Sequence, residues 1–529
     1  MQICRQLKYR KFWNKLVVEI WQFRNKKLSI YTEDQSGLSC VDCRPSSVVY
    51  GQKPLNFNKK RIMKIAFHGA AQTVTGSKHL ITLDNGKKLL LDCGLFQGMG
   101  DKTNEMNKEF GFNAREVDYV ILSHAHIDHC GLLPKLVKEG YKGSIYATPA
   151  TKDLASILME DSAGIQESDA KYTNKRLALE GRPYVSPLYT TLDAMAAADQ
   201  FETVEYNTWH KIDDSIEFCY TEAGHIIGSA VVSVRISENG KKTAITFSGD
   251  VGRYRDIILK APAVFEQADY ILIESTYGNS LHEEFAPSTD ILLDWIEKTC
   301  LQKKGKLILP AFSVGRTQEI LYSLNQLSNE NRLPQLDYFV DSPLSMEATT
   351  VIKSYPQYFN DHIQNVMKSD KDPFGFPGLI FTKSVDDSKR LNYRKEPCVI
   401  ISASGMADAG RVKHHISNNI ENSKNSILLT GYCEPRSLGG RLKNGDKEVR
   451  IFGQWHEVNA AVGQIRSMSA HGDYNDLLHF LDCQDPLKVK KVFLVHGELE
   501  VQKDFKQKLI KKGFQQIEIP ERHQEIILS

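Results

Sequence analysis

The fold of this 529-residue chain is decided by the stretch Ser123-His-Ala-His-Ile-Asp-His-Cys-Gly131. The apolar run Val120-Ile-Leu122 precedes it and predicts a strand, so the polar residues begin where that strand ends. Within six positions stand four residues whose side chains bind metals: His124, His126, Asp128 and His129. Imidazole and carboxylate ligands suit zinc, manganese or cobalt. Side chains two apart on an extended loop share a side, so the first two can hold one ion while the last two face a second.

Further ligands must come from other parts of the chain, because one loop cannot enclose two ions. His225 stands between Gly224 and Gly228, and these glycines let the backbone approach a ligand closely. Asp250 follows the apolar run 244–249, and its two carboxylate oxygens can bridge two ions. Asp92 is expected to orient a histidine of the loop rather than to bind an ion itself.

Strand-like and helix-like segments alternate along the rest of the chain. Runs such as 89–92, 270–274 and 492–495 predict strands, whereas the apolar spacing of 153–169 and 316–327 predicts helices. This alternation predicts an α/β protein. Five of the predicted strands end in polar residues, which indicates one site at a shared sheet edge. These residues are Asp92, His124, Asp250, Glu274 and His496.

The bulk composition is that of a globular protein, with 41% hydrophobic and 25% charged residues. No run of 18 apolar residues occurs, so we expect no membrane span. The ten cysteines are scattered, which favours a reducing compartment and hence the cytoplasm.

Residues 1–62 form a basic segment without periodicity. They hold 13 Lys/Arg against 4 acidic residues, so of the total charge of +2 they carry +9 and residues 63–529 carry −7. We expect a poorly ordered N-terminal extension, with a basic arm for RNA as the alternative. The remainder is mildly acidic, so its bulk charge gives no argument for nucleic-acid binding.

The order Asp92, His-x-His-x-Asp-His at 124–129, His225 and Asp250 resembles the metallo-β-lactamase superfamily. The resemblance implies an α/β fold, an αββα sandwich with a dinuclear metal site at one sheet edge. Lactamases, thioesterases and nucleases share this fold, so the superfamily alone does not define the substrate.

Three later motifs resemble those of the β-CASP nucleases. Residues 270–278 resemble motif A with Glu274, residues 469–473 motif B with His471, and residues 494–498 motif C with His496. The chain looks like a prokaryotic relative of the RNA-cleaving subunit of the cleavage and polyadenylation specificity factor. In that family a histidine at motif C accompanies RNA processing. The resemblance also implies that a β-CASP domain, residues 279–467, is inserted between lactamase segments 63–278 and 468–529.

The expected mechanism is hydrolysis of single-stranded RNA by a hydroxide that two zinc ions activate, with manganese as the alternative metal. His124, His126 and His225 would hold one ion. Asp128, His129 and His496 would hold the other, with Asp250 between them. His471 would act as general acid and Glu274 would orient it, so these two join Asp128 and Asp92 as catalytic residues.

Phosphates beside the scissile bond need hydrogen-bond donors. Ser402, Ser404 and Gly405 offer closely spaced backbone amides, and Arg316 and Arg441 offer charge, with internal ion pairs as the alternative for both arginines.

Family resemblance alone implies a homodimer. We expect an endonuclease rather than a 5′ exonuclease. Two other functions stay open, a thioesterase-like hydrolase of the lactamase fold and a binding module that keeps its metal for structure.

Overall fold

The computed structural model describes residues 62–98, 100, 102–282, 288–431, 433–465 and 468–529, which belong to one compact unit. The predicted N-terminal extension, apart from its last residue, lies outside the described residues. The strands are β1 Lys64–Gly69, β2 Lys78–Thr82, β3 Lys88–Leu91, β4 Tyr119–Ile121, β5 Ile145–Ala147, β6 Phe201–Thr203, β7 His210–Lys211, β8 Ile216–Glu222, β9 Ala230–Glu238, β10 Lys241–Phe247, β11 Tyr270–Glu274, β12 Lys306–Pro310, β13 Asp337–Val340, β14 Leu379–Phe381, β15 Cys398–Ser402, β16 Ser426–Leu429, β17 Glu448–Ile451, β18 Gln454–Glu457, β19 Ala461–Gln464, β20 Lys491–Val495, β21 Ile517–Glu518 and β22 Glu525–Ile527.

The helices lie mostly between these strands, as the alternating pattern predicts. They are α1 Lys102–Met106, α2 Ile127–Cys130, α3 Leu133–Lys138, α4 Pro149–Leu179, α5 Thr191–Ala198, α6 Ser288–Ile296, α7 Arg316–Asn329, α8 Pro343–Lys353, α9 Asp361–Val366, α10 Val385–Tyr393, α11 Gly410–Asn419, α12 Leu438–Lys443, α13 Tyr474–Phe480 and α14 Leu499–Lys512. Shorter turns of 3₁₀ or π helix are Ala114–Glu116, Glu297–Gln302, Pro356–Tyr358 and Leu481–Cys483. Within the described residues, no helix is long and apolar enough to cross a membrane.

Two seven-stranded sheets form a sandwich. Sheet A has the order β22-β1-β2-β3-β4-β5-β6, and sheet B has the order β21-β20-β11-β10-β9-β8-β7. Successive side chains of a strand point to opposite faces. In β11, Leu272 therefore packs into the core between the sheets, whereas Ile271 and Ile273 pack under α13 and α14. Helices α3 and α4 cover the outer face of sheet A. The αββα arrangement is the fold that the resemblance to the metallo-β-lactamase superfamily implies.

A third sheet lies outside the sandwich. Its six parallel strands have the order β14-β13-β15-β12-β16-β19, and they come from the chain between β11 and β20. The hairpin β17–β18 is a separate two-stranded sheet. After this region the chain returns, and β20 and β21 complete sheet B while β22 pairs with β1. These sheet memberships support an inserted domain, and its boundaries at 278/279 and 467/468 stay a prediction.

One helix is longer than the sequence predicts. Helix α4 runs from Pro149 to Leu179 and so extends beyond the predicted 153–169 at both ends. Thr148 caps its start by accepting a hydrogen bond from the Thr151 backbone N–H, and proline is favoured in the first helical turn. The second half is largely exposed, so it carries no apolar periodicity that would reveal it.

Candidate metal centre

Three histidines from two separate loops meet in the first half of the site. His124 and His126 follow β4, and His225 follows β8. The Nδ1 atom of His126 lies 3.2 Å from His124 Nε2 and 3.0 Å from His225 Nε2. Burial lowers the pKa of His126 to about 4 and the pKa values of His124 and His225 well below the ordinary histidine value. All three are therefore neutral near pH 7, and their ring lone pairs are available to a cation.

The second half joins the same loop to the far end of the chain. His496, at the end of β20, has its Nε2 atom 3.1 Å from His129 Nε2 and 3.4 Å from Asp128 Oδ2. Burial alone would lower the pKa of His129, but the Asp250 and Asp92 carboxylates outweigh it and raise that pKa well above the ordinary value. A bound cation would take the place of the proton that His129 otherwise holds.

Asp250 lies between the two halves. Its Oδ2 atom is 3.4 Å from His124 Nε2 and 3.3 Å from His129 Nε2, and its Oδ1 atom is 3.5 Å from His496 Nε2. Oδ1 is buried and makes no hydrogen bond with a described residue. Burial alone would raise the pKa of Asp250, but the surrounding imidazoles, His129 foremost, hold it well below its usual range. The carboxylate is therefore ionised and available to both halves.

This donor set fits a metal cofactor. Three groups have all their donor atoms within 4.8 Å of one another, namely His124, His126, His225 and Asp250; Asp128, His129 and His496; and Asp250, Glu274, His471 and His496. Facing ring nitrogens at 3.0–3.2 Å need a proton or a cation between them, because their lone pairs repel each other. Neutral imidazoles with ionised carboxylates are the ligands that zinc and similar ions prefer.

Asp92 supports His129 from outside the centre. Its Oδ2 atom lies 2.7 Å from His129 Nδ1 and accepts hydrogen bonds from the Ser77 and Ser123 hydroxyls at 3.1 and 3.0 Å. Its Oδ1 atom accepts one from the Ser123 backbone N–H at 2.8 Å. Because Nδ1 of His129 faces Asp92, the ring presents Nε2 to the centre, as an orienting role requires.

A carboxylate–histidine pair lies beside the centre. His471 Nδ1 is 2.9 Å from Glu274 Oε1 and 4.0 Å from Asp250 Oδ2. Glu274 is fully buried, and it also accepts hydrogen bonds from the backbone N–H groups of Val251 and Thr276. Burial alone would lower the pKa of His471, but the Glu274 and Asp250 carboxylates outweigh it and raise the pKa to about 9. His471 is therefore a protonated, hydrogen-bonded group next to the candidate metal ligands.

Family models match three consecutive parts of the chain. The metallo-beta-lactamase superfamily matches residues 76–299, and the Beta-Casp domain matches residues 317–442. The Zn-dependent metallo-hydrolase RNA specificity domain matches residues 455–520. These matches follow the order in which the two sandwich segments and the third sheet occur along the chain.

Several named proteins are similar in sequence to this chain over most of its length. "Ribonuclease TTHA0252" of Thermus thermophilus is 34% identical over 438 residues, which cover 83% of this chain and 94% of that protein. The chain belongs to the β-CASP nuclease family. "RNase J-like protein" of Methanocaldococcus jannaschii is 33% identical and covers 82% of this chain and 92% of its own length. "Cleavage and polyadenylation specificity factor 73" of Drosophila melanogaster is 29% identical over 83% of this chain, which spans 60% of that longer protein.

The predicted substrate loop of this β-CASP protein begins at the end of β15 and approaches the centre. Ser402 is buried and donates its hydroxyl hydrogen bond to the Asp341 carbonyl at 2.8 Å, while Ser404 bonds within the loop to Ala409. A Cβ atom on Gly405 would lie 2.5 Å from the Phe312 ring, so the close approach of that ring requires glycine. The Phe312 ring centroid lies 6.3 Å from that of His126.

The two β-CASP arginines are engaged with carboxylates of their own region. Arg316 is buried at the start of α7 and pairs with Glu319. Arg441 is half-buried in α12, pairs with Asp446 at 2.9 Å, and donates to the Glu448 carbonyl. The contacts of Arg441 therefore lie beside the β17 strand rather than among the centre's histidines. A phosphate-binding role for either arginine stays a prediction.

Two residues that support the ligand histidines were not identified from the sequence. The Thr276 hydroxyl lies 3.0 Å from His496 Nδ1, and the Ser229 hydroxyl accepts the His225 backbone N–H at 3.0 Å. Thr276 belongs to the motif A stretch, two residues after Glu274, and this position could have identified it from the sequence. Ser229 follows its histidine by four residues but carries no pattern of its own.

Proposed function

We propose that this chain is a metal-dependent ribonuclease that hydrolyses phosphodiester bonds of single-stranded RNA. The observation that carries the proposal is the His471–Glu274 hydrogen bond of 2.9 Å beside the candidate metal ligands. An acid of this kind serves a reaction whose leaving group needs a proton, as a ribose oxygen does. The choice of RNA is supported by the names of the relatives and by the match to an RNA specificity domain.

Two divalent ions, zinc foremost and manganese as the alternative, would be held by the two halves of the centre, with Asp250 shared between them. When bound, such ions lower the pKa of a water nucleophile towards neutrality and stabilise negative charge on phosphoryl oxygens. Asp92 orients His129, and Thr276 orients His496, so the protein holds the two rings in position before any ion arrives.

His471 is proposed as the general acid. With Nδ1 hydrogen-bonded to Glu274, its Nε2 atom remains for proton transfer to the leaving oxygen. Its raised pKa, about 9, keeps the ring protonated at neutral pH. The buried Glu274 carboxylate stabilises the imidazolium and, through its backbone hydrogen bonds, fixes the direction of the ring.

The loop 402–405 is proposed to position the RNA backbone. Its approach to the centre through Phe312 supports this role, and backbone N–H groups of a tight loop are natural phosphate ligands. Arg316 of α7 would bind a phosphate by exchanging its Glu319 partner for the phosphate oxygens. We further propose a homodimer on family resemblance alone. A cytoplasmic location is supported by the seven cysteines of the described residues, all of them free thiols.

The experiment compares three substrates with zinc-loaded protein: 5′-labelled single-stranded RNA, DNA of the same sequence and a chromogenic thioester. We expect cleavage of RNA alone, abolished by a chelator and restored by zinc or manganese. Consumption of the thioester with RNA intact would establish the alternative hydrolase. If the protein retained zinc but left the RNA, the DNA and the thioester all intact, the result would favour a binding module.

A circular form of the same RNA separates the two nuclease modes. An endonuclease opens a circle, whereas a 5′ exonuclease needs a free end and leaves it intact. We propose the endonuclease mode and therefore expect the circle to be opened. Degradation of linear RNA with the circle untouched would assign 5′ exonuclease activity instead.

A further inference from the structure

Four charged side chains meet where the sandwich touches the third-sheet region, the part of the chain between β11 and β20. Arg253 and Asp256 follow β10, and Arg316 and Glu319 lie in the first turn of α7. The Arg253 Nη2 atom is 2.8 Å from Glu319 Oε1 and 2.7 Å from Asp256 Oδ2. Arg316 pairs with the other Glu319 oxygen. The four side chains are only 5–13% exposed, so Glu319 stands buried between one arginine of each region.

Fold stability alone does not account for this cluster. Taking charged groups out of water is costly, and a buried ion pair offsets that cost only when its geometry is good. Apolar side chains of similar volume often stabilise a protein as well or better. What short, charge-assisted hydrogen bonds add is direction, because they hold the two partners in one arrangement. We therefore examined what the direction of Arg253 controls.

Arg253 lies on the segment that carries the shared metal ligand. Asp250 opens this segment, residues 250–260, and only two residues separate it from Arg253. The intervening Val251 donates its backbone N–H to Glu274 Oε1 at 2.8 Å. The start of the segment is thus part of the candidate metal centre. Because the connection is so short, the place of Arg253 constrains the direction of the Asp250 side chain.

The other end of segment 250–260 is attached to the third-sheet region. The Asn360 backbone N–H donates to the Ile258 carbonyl at 2.8 Å, and its side-chain amide donates to the carbonyls of Asp256 and Leu259 at 2.9 and 3.2 Å. The segment therefore begins among the metal ligands and ends on the third-sheet region. The Arg253–Glu319 pair is the side-chain link between these two attachments.

We infer that Glu319 is a positioning residue for the metal centre: through Arg253 it holds Asp250 in the direction in which its carboxylate reaches both halves. This inference rests on the proposed function, of which the two-ion centre is a part. It makes α7 of the third-sheet region a support of the metal ligands, although Glu319 touches none of them. Removing a group that orients a ligand weakens metal binding even when every ligand remains.

The key variant is Glu319→Gln, which keeps the shape of the side chain and removes its charge. It leaves Arg316 without its carboxylate, so a second variant guards against loss of the fold. Arg253→Met/Glu319→Leu replaces the link by apolar side chains of similar size and should retain stability. The matched control is Asp341→Asn, because Asp341 is a buried carboxylate between His415 and Arg411. The hydrogen bonds of its side chain to described residues all stay within the third-sheet region.

Three measurements on the full-length protein separate position from stability. Competition with a fluorescent chelator gives the zinc affinity, and the visible absorption spectrum of the cobalt-loaded protein reports the arrangement of the ligands. Thermal unfolding of the metal-free protein gives its stability. Steady-state cleavage of RNA at saturating zinc adds kcat and KM.

We expect Glu319→Gln to weaken zinc binding about tenfold and to change the cobalt spectrum. Its kcat should fall about 10-fold to 100-fold, because the ligands are misplaced, while KM should not rise. The double variant should melt like the wild type yet bind zinc as weakly as Glu319→Gln. Asp341→Asn should melt at a lower temperature but keep the wild-type zinc affinity and cobalt spectrum.

Three results overturn the positioning role. The first is wild-type zinc affinity and cobalt spectrum in Glu319→Gln, and the second is their full recovery in the double variant, which would mean that packing alone places Asp250. The third is an equal loss of zinc affinity in Asp341→Asn, since any buried carboxylate would then matter alike.

Failure of the proposed function is recognised separately. Wild-type protein that holds two ions but leaves RNA intact refutes the ribonuclease, and the loss of zinc affinity in Glu319→Gln still supports the positioning role. Wild-type protein that binds neither zinc, cobalt nor manganese refutes the metal centre, and this inference with it.

Discussion

The histidine centre and the β-CASP arginines differ in how their polar groups are satisfied. In the centre, Asp250 Oδ1 has no hydrogen bond with a described residue, and ring nitrogens face one another at 3.0–3.2 Å. Arg316 and Arg441 instead pair with the Glu319 and Asp446 carboxylates. The centre needs an added cation to be complete, whereas the arginines are already neutralised. Function therefore depends on the buried polar groups that the fold leaves without a hydrogen-bond or ion-pair partner.

The largest effect is expected from Asp250→Asn, because the amide keeps the shape but removes the charge shared by both halves. RNA cleavage should fall at least about 1000-fold. Bound metal, measured by elemental analysis, should also fall, while the metal-free protein should be no less stable in thermal unfolding. Asp482→Asn, at the surface pair with His479, is the control. If this variant cleaved RNA within tenfold of the wild-type rate, the contrast between the centre and the paired arginines would not explain function.

His471→Ala should lower kcat for RNA about 100-fold to 1000-fold, because the leaving oxygen loses its acid. Metal content should stay at the wild-type level, which distinguishes this variant from Asp250→Asn. The matched control is His479→Ala, an exposed histidine that pairs with Asp482. A full rate in His471→Ala would remove this residue from the mechanism.

Asp92→Asn should weaken metal binding about 10-fold to 100-fold, because His129 loses the carboxylate that holds its ring. Competition with a fluorescent zinc chelator measures this affinity directly. Ser77→Ala, which removes one hydrogen bond to Asp92, should have a smaller effect of the same sign. Equal affinity in Asp92→Asn and wild type would show that the ring is held by its packing alone.

Glu274→Gln should change the pH dependence of cleavage. The two carboxylates raise the pKa of His471 from 6.5 to about 9, so removing one lowers it. The acid works when protonated, and the alkaline fall of the kcat–pH profile should therefore move to lower pH. Measuring kcat from pH 5 to pH 10 tests this shift. A profile that keeps its alkaline limb would mean that His471 is not the titrating acid.

The smallest effect is expected from Arg441→Ala, whose ion pair with Asp446 is partly exposed. Its loss should reduce the free energy of unfolding by about 0–1 kcal/mol. The kcat/KM for RNA should stay within about twofold of the wild-type value. Steady-state cleavage and chemical denaturation measure the two quantities. A tenfold rise in KM would show that RNA displaces Asp446 and would restore the phosphate-binding role.

The sequence predicts the fold class and the convergence of polar strand ends because strict chemistry governs both. Ligand residues must follow buried strands, and the apolar runs before His124, Glu274 and His496 are unmistakable. Strands β8 and β9 were not predicted, although they pair along seven residues within sheet B. Arg316 forms an ion pair with Glu319, three residues further along the chain. The spacing of these residues in the sequence cannot distinguish such an ion pair from a contact with substrate.

The position of His496 has a consequence for protein synthesis. Its backbone N–H donates to the Ala70 carbonyl, and its ring faces the loop at 124–129, so the centre joins early and late parts of the polypeptide. A nascent chain on the ribosome holds most of the ligands but cannot close the site until β20 has emerged. Products of premature termination before that strand should thus be inert.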